Sequence, residues 1–163
     1  MKKYFITVLA ATLFGAASAQ AGISGMWSGQ ADFANTWSSE VDSTNLTLDL
    51  NEATNELQFS LRFTYPNGQM VQQNMTFQVD GTTVSYQGQD VGTLVNDRLV
   101  VTEAMIEQDA YSVTFEKNAD GTATYSDEYC YGGYQEKTCE TLQGQLSQQA
   151  MRALSHFSGS AKR

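Results

Sequence analysis

The alternation of apolar and polar side chains constrains the fold of this chain more than any other feature. Between Trp27 and Thr141, apolar residues recur at every second position, a spacing typical of β-strands with one buried face. The first such strand is predicted within Gly25–Phe33. The later residues predicted to face inward are Leu46, Leu48, Leu50, Leu57, Phe59, Leu61, Phe63, Met75, Phe77, Val79, Val84, Tyr86, Leu99, Val101, Tyr111, Val113, Phe115, Ala123 and Tyr125.

Short turn sequences separate these runs. They are rich in Asn, Asp and Gly, which tolerate the left-handed conformations of tight hairpins. The turns are predicted at 51–55, 65–69, 80–81, 88–90, 96–97, 107–109 and 118–121. Because no helical pattern lies between the strands, we expect antiparallel pairing of sequence neighbours. The fold class is therefore predicted as all-β: a single antiparallel up-and-down meander of about eight to ten strands closed into a barrel, which removes exposed sheet edges.

The strands of an outer-membrane barrel also alternate between apolar and polar side chains, but there the apolar side chains face the lipid and the polar ones face the lumen. In this chain the polar positions are dense with Asp, Glu, Gln and Asn. We therefore place the apolar face inside the barrel.

The final segment changes period. Plotted at about 100° per residue, six apolar residues fall within one arc of about 120°: Leu142, Leu146, Ala150, Ala153, Leu154 and Phe157. This spacing predicts a C-terminal amphipathic helix ending near Ser158-Gly159. We expect a signal peptide at 1–21, a β-barrel domain at 22–141, and a C-terminal helix and tail at 142–163 packed on the barrel.

The beginning of the chain has the features of a secretory leader. Lys2 and Lys3 precede an apolar run at 4–14 and then small residues, with possible cuts after Ala19 or Ala21. We favour the cut after Ala21. A transmembrane helix would need about 20 apolar residues, so no membrane span is predicted. We expect a bacterial protein exported by the Sec route, periplasmic or secreted.

The net charge limits the partners. The chain has 9 Lys and Arg and 18 Asp and Glu, and two of the basic residues lie in the leader, so the processed chain carries 7 − 18 = −11. This balance argues against binding to nucleic acid or to an anionic membrane surface. It keeps an exported protein soluble and leaves a basic protein partner as an alternative. We expect a monomer.

The two cysteines indicate a disulfide. Cys130 and Cys139 are nine positions apart, and an oxidising compartment favours their bond. A metal site is disfavoured because the single histidine, His156, lies on a separate segment.

The segment 125–139 also contains four tyrosines. A hairpin turning between Gly132 and Gln135 would present Tyr129, Tyr131 and Tyr134 as an interaction surface, since rigid aromatic side chains are favoured at interfaces. The alternative is that the tyrosines cover the disulfide.

Catalytic patterns are lacking. No Gly-x-Ser-x-Gly motif occurs, and adjacent acids such as Asp127 and Glu128 point to opposite faces of a strand. The stretch at 118–122 resembles the start of a calcium loop, but its twelfth position is Tyr129 instead of a bidentate acid, which favours a hairpin turn. We predict no catalytic residue, no cofactor and no metal, and hence a protein that is not an enzyme.

The pair Gly25-x-Trp27 resembles the first sequence block of the lipocalins, small exported barrels that carry apolar ligands. The family's later Thr-Asp-Tyr block is absent. The resemblance implies a calycin-type barrel in which Trp27 packs across the closed end. Trp27 is expected to fill the base of the core in any closed barrel, because it combines a large apolar area with a single N–H.

Two functions from different classes follow. The first is a non-enzymatic binding protein that holds an apolar or amphipathic small molecule inside the barrel. Its candidate ligand-binding residues are Trp27, Phe33, Phe59, Phe63, Phe77, Tyr86, Tyr111 and Phe115. The same residues suit either a filled interior or a cavity of a few hundred Å³. The second is an envelope protein-interaction module, an inhibitor or assembly factor that uses the tyrosine-rich hairpin.

Overall fold

The protein is a closed antiparallel barrel of ten strands, seen here in a computed structural model that describes residues 22–132 and 137–149. The strands are β1 Gly25–Asn35, β2 Asp42–Ala53, β3 Glu56–Thr64, β4 Met70–Asp80, β5 Thr83–Tyr86, β6 Gln89–Val95, β7 Arg98–Ile106, β8 Asp109–Lys117, β9 Thr122–Tyr131 and β10 Thr138–Gln148. Each strand pairs with its neighbours in sequence, and β1 also pairs with β10. The predicted meander and its closure are confirmed, with ten strands.

The alternation predicted the inner face correctly. Leu46, Leu48 and Leu50 are buried along β2, and the same holds for the residues predicted to face inward on β3, β8 and β9. The turns also fall where the short polar sequences lie. Asn55 and Asp97 have φ values of 63° and 64°, which are the left-handed conformations that such hairpins need.

Two glycines allow the barrel to close. A Cβ atom on Gly29 of β1 would lie 2.3 Å from the carbonyl oxygen of Gln145, and one on Gly144 of β10 would lie 2.5 Å from that of Gln30. Both distances are far below van der Waals contact. The first and last strands therefore approach each other so closely only because both positions lack a side chain.

The predicted C-terminal helix is not supported, because residues 142–148 belong to β10. Leu142 and Leu146 are both buried inside the barrel. Because they are four positions apart, they lie on the same face of a strand as well as on the same face of a helix. Pairing decides between the two patterns, since β10 forms ladders with both β9 and β1. The other residues of the predicted apolar arc, Ala150 to Phe157, lie outside the described residues. No helix in the described part of the chain is long and apolar enough to span a membrane.

Trp27 closes one end of the barrel. Its side chain is fully buried, its ring meets that of Phe115 edge-on at 5.1 Å between centroids, and its Nε1–H donates to the carbonyl oxygen of Ile23 at 3.1 Å. Ile23 is itself fully buried, and its N–H donates to Glu52 at 2.8 Å. The segment before β1 is therefore tied across this end, as the Gly-x-Trp pattern predicted for Trp27.

Candidate ligand-binding site

The other end of the barrel contains a cavity of about 320 Å³, called the mouth cavity below. It lies where β1, β3, β7 and β9 end and where β4 and β10 begin. Its lining residues are Phe33, Leu61, Phe63, Tyr65, Val71, Gln72, Gln73, Asn74, Met75, Tyr86, Ile106, Asp127, Tyr129, Glu140 and Leu142. Aromatic and aliphatic side chains form most of this surface, with a few polar groups among them. This composition and volume are typical of a site for a small organic molecule.

The wall of the barrel is incomplete beside the mouth cavity. β5 pairs with β4 only at Gln78–Asp80, so Met70–Phe77 of β4 pair only with β3. Likewise, β6 pairs with β7 only as far as Val101, which leaves Ala104–Ile106 paired only with β8. The gap between these two segments is called the side opening. Gln72 and Asn74 on β4 and Ile106 on β7 border it and also line the cavity.

A buried carboxyl group lies at the inner end of the mouth cavity. Asp127 is only 6% exposed, and its Oδ2 accepts hydrogen bonds from the hydroxyls of Tyr125 at 2.5 Å and Tyr111 at 3.1 Å. Its Oδ1 accepts the N–H of Leu142 at 3.1 Å. Burial raises the pKa of Asp127 to about 6, although these three hydrogen bonds oppose the rise by favouring the carboxylate.

The two tyrosines that contact Asp127 are themselves buried. Burial and the neighbouring carboxyl group raise the pKa of Tyr111 and of Tyr125, so both hydroxyls stay protonated. Tyr111 and Tyr125 lie 3.3 Å apart between their oxygens. Because each can donate its proton to Asp127, the cluster holds the carboxylate in one position.

A second carboxyl group lies nearer to solvent. Glu140 on β10 accepts the hydroxyl of Tyr65 at 2.7 Å and that of Tyr131 at 3.3 Å. Burial, together with the Glu140 carboxylate, raises the pKa of Tyr65. The hydroxyl of Tyr129 donates to Asp109, the first residue of β8. Acidic oxygens thus hold three tyrosine rings around the mouth.

Among the residues that the structure describes, the lining of the mouth cavity carries acidic charge and no basic charge. Asp127 and Glu140 both lie in this lining, whereas none of its described residues is Lys or Arg. The basic residues of ranges 22–132 and 137–149 lie elsewhere: Arg62 on the outer face of β3, Arg98 paired with Glu116 at 3.2 Å, Lys117 bound to the carbonyl of Gly22 at 3.0 Å, and Lys137, exposed beside β10. An anionic head group in this cavity would face unfavourable electrostatics.

Only some of the predicted ligand-binding residues line the cavity. Phe33, Phe63 and Tyr86 line it. Phe59, Phe77 and Tyr111 pack together in the core beneath it, with Phe59 at 6.2 Å from Phe77 and 6.1 Å from Tyr111 between ring centroids. Trp27 and Phe115 lie at the closed end, remote from the cavity. These five residues fill the barrel, so the interior is partly solid and partly hollow.

The predicted disulfide is present. Cys130 and Cys139 face each other directly on β9 and β10, with 4.1 Å between their Cα atoms. Glu128 lies near both sulfur atoms. Because the sulfurs are bonded to each other, this group does not offer the thiolates that a metal would need.

The three tyrosines predicted as an interaction surface have different positions. Tyr129 is half-buried and lines the mouth cavity, and Tyr131 packs near it with 6.0 Å between ring centroids. Tyr131 also packs against Trp37 of the β1–β2 loop, with 6.3 Å between ring centroids, and Trp37 is 58% exposed. Tyr134 lies outside the described residues.

Several lining residues were missed from the sequence, above all Asp127, Glu140, Tyr65 and Gln73. A signal for Asp127 and Gln73 exists. Asp127 lies at the inward position between Tyr125 and Tyr129, and Gln73 occupies the equivalent position on β4. A polar residue at an inward-facing position of a strand indicates a polar site in the interior, whereas the prediction above rests on apolar residues alone.

Comparisons with known proteins support the fold. An S-type phycobiliprotein lyase from Guillardia theta superposes with a TM-score of 0.52 at 6% sequence identity, covering 78% of this chain and 88% of the lyase. A protein of unknown function from the DUF3598 family of Nostoc punctiforme superposes with a TM-score of 0.56 at 18% identity, covering 78% of this chain and 49% of that protein. No protein-family model and no curated protein matches the sequence. The predicted lipocalin-like architecture is therefore supported by a closed barrel and its structural neighbours, and not by a family match.

The prediction that the protein is not an enzyme is wrong. A protein that shares this barrel is a lyase, so neither the fold nor the lack of a familiar catalytic motif excludes chemistry. At this level of identity the likeness shows the fold alone.

Proposed function

We propose that this protein binds a small amphipathic molecule in the mouth cavity, with the apolar part of the ligand against the aromatic wall. The observation that carries the proposal is the hollow at one end of an otherwise filled barrel. A cavity of about 320 Å³ lined by Phe33, Phe63 and Tyr86 removes apolar ligand surface from water. The structural neighbours support a barrel of the calycin kind, in which an interior site of this type is a reasonable expectation.

Access supports the same function. The side opening is bordered by Gln72 and Asn74, whose exposed side chains give the entrance a polar edge. Gln73 points inward from the same strand, and its amide contacts the sulfur of Met75 at 3.6 Å. A polar rim above an apolar interior suits a ligand with one polar end and one apolar end.

We also propose that the protein acts outside the cytoplasm. The disulfide between Cys130 and Cys139 supports this location, because such bonds persist in oxidising compartments. The leader-like sequence of residues 1–21 agrees with it.

The proposal is tested by filling the cavity. N-phenylnaphthylamine, an uncharged probe that fluoresces in apolar sites, is titrated into the purified protein. Val71 lines the cavity on β4, and Val71→Trp places a large ring inside it. We expect this variant to bind the probe at least about tenfold more weakly than the wild type, a loss of about 1.4 kcal/mol.

The matched control is Val79→Trp. Val79 is also half-buried on β4 and faces the core, but it does not line the cavity. Its probe affinity is expected to stay at the wild-type value. Absence of probe binding to the wild type, or equal binding by Val71→Trp, would contradict a ligand site in the mouth cavity.

A further inference from the structure

We infer that the ligand of the mouth cavity is an organic cation, an apolar molecule with a protonated amine that is recognised by Asp127 and Glu140. The inference rests on the proposed function, because it assigns the chemical class of the molecule that the same cavity binds.

Asp127 lies in a position that favours a cationic partner. A buried carboxylate is costly unless it is paired with a cation. Asp127 is 6% exposed and lines an apolar cavity, yet none of the described residues that line this cavity with it is basic. Its hydrogen bonds from Tyr111, Tyr125 and the backbone of Leu142 hold the carboxylate in place and leave its charge uncompensated.

The carboxylate of Asp127 has an acceptor position left over. Oδ2 receives two hydroxyl protons, whereas Oδ1 receives a single N–H, from Leu142. A carboxylate oxygen has two acceptor positions, so Oδ1 can accept one more donor. An ammonium group offers up to three donors and a full positive charge, which makes it the matching partner.

The negative charge is spread along the cavity. Asp127 lies at the inner end, and Glu140 lies nearer the mouth with the hydroxyls of Tyr65 and Tyr131. The aromatic rings of Phe33, Phe63 and Tyr86 complete the wall. Carboxylates and aromatic faces both attract organic cations, and both repel the carboxylate of a fatty acid.

The test compares three probes that share one tail and differ in charge: octylamine, octanol and octanoate. Binding is measured by isothermal titration and by displacement of N-phenylnaphthylamine. We expect octylamine to bind at least about tenfold more tightly than octanol, and octanoate to bind more weakly than both.

Two variants of equal net charge locate the effect. Asp127→Asn removes the inner carboxylate, and Glu128→Gln removes the adjacent one, which is exposed on the outer face of the same strand. The preference for octylamine should be lost in Asp127→Asn and kept in Glu128→Gln. Equal loss in both variants would mean that the overall negative charge attracts the amine, and would overturn the inference.

The pH dependence of the wild type gives a second, independent readout that needs no variant. The groups that face Asp127 are the hydroxyls of Tyr111 on β8 and Tyr125 on β9, and the carboxyl of Glu140 on β10. Because the carboxylate form binds the cation, octylamine affinity should fall about tenfold between about pH 7 and about pH 5, while octanol affinity stays constant.

The outcomes separate the two proposals. If octanol binds as tightly as octylamine, the cation inference is overturned and the ligand-binding function stands. If no probe of any charge binds, both are overturned. If octylamine is preferred, and this preference is lost in Asp127→Asn and at low pH, the inference is supported.

Discussion

At the scale of single residues, Asp127 differs most from its surroundings. It is a carboxyl group on the inner face of a barrel that is otherwise apolar, and burial raises its pKa from 3.8 to about 6. An acid whose pKa is raised by folding binds its proton more tightly in the folded state. The stability it contributes is therefore present at acid pH and is lost as the pH rises through about 6.

The substitution Asp127→Asn tests this pH dependence of the stability. The Asn variant cannot ionise, so its free energy of unfolding should rise relative to that of the wild type between about pH 4 and about pH 7. The relative change should be up to about 3 kcal/mol. Urea unfolding across this pH range measures it.

The control is again Glu128→Gln, whose stability curve should run parallel to that of the wild type. Parallel curves for Asp127→Asn and the wild type would contradict the burial of an ionised Asp127. Such a result would also weaken the electrostatic argument for a cationic ligand.

At the scale of elements, the β9–β10 hairpin joins the disulfide to the mouth cavity. Cys130 follows Tyr129 and Cys139 precedes Glu140, and both of these neighbours line the cavity. The bond closes a loop with a sequence separation of 9 residues, so its entropic effect on the unfolded chain is small. Its main effect is expected to be local, on the positions of Tyr129 and Glu140.

We therefore predict that the double variant Cys130→Ser with Cys139→Ser folds and keeps a β-rich circular dichroism spectrum. Its free energy of unfolding should fall by about 2 kcal/mol, the low end of the usual range, which lowers the melting temperature by several degrees. The affinity for octylamine should also fall, and by more than the smaller folded fraction of the variant accounts for. Failure to fold would show that the bond holds the whole barrel together, and unchanged affinity would separate the hairpin from the ligand site.

At the scale of the whole molecule, the barrel is closed at one end and open at the other. Ile23 and Trp27 seal the closed end, and the N–H of Gly22 donates to Asp97 there at 2.6 Å. If the leader is removed after Ala21, the nitrogen of Gly22 becomes a charged terminus beside Asp97. The processed chain then carries a charge of −11, which agrees with acceptance of a cation.

The proposed export and processing of the chain can be tested directly. When the full chain is expressed in a bacterial host, intact-mass measurement of the periplasmic or secreted fraction should show loss of residues 1–21, with Gly22 as the first residue. A product that begins at Gln20 would place the cut after Ala19 instead. Retention of the full-length chain in the cytoplasm would contradict export.

The strands, the turns and the inner face of the barrel follow from local physics and could be predicted. Successive side chains on a strand point to opposite faces, so Leu46, Leu48 and Leu50 could be assigned inward without knowing their neighbours. The left-handed turn at Asn96-Asp97 is equally local. Even the opposite orientations of Asp127 and Glu128 follow from the pleat alone.

The tertiary structure decided everything that depends on pairing between distant segments. Leu142 and Leu146 fit a helix and a strand equally well, and the ladders to β1 and β9 made them part of a strand. The mouth cavity joins residues of β1, β3, β4, β5, β7, β9 and β10, which are far apart in the sequence, and β5 pairs with β4 only at Gln78–Asp80 beside it. Asp127 shares this cavity with Glu140, and their common position depends on strand register and barrel closure, which no short stretch of sequence encodes.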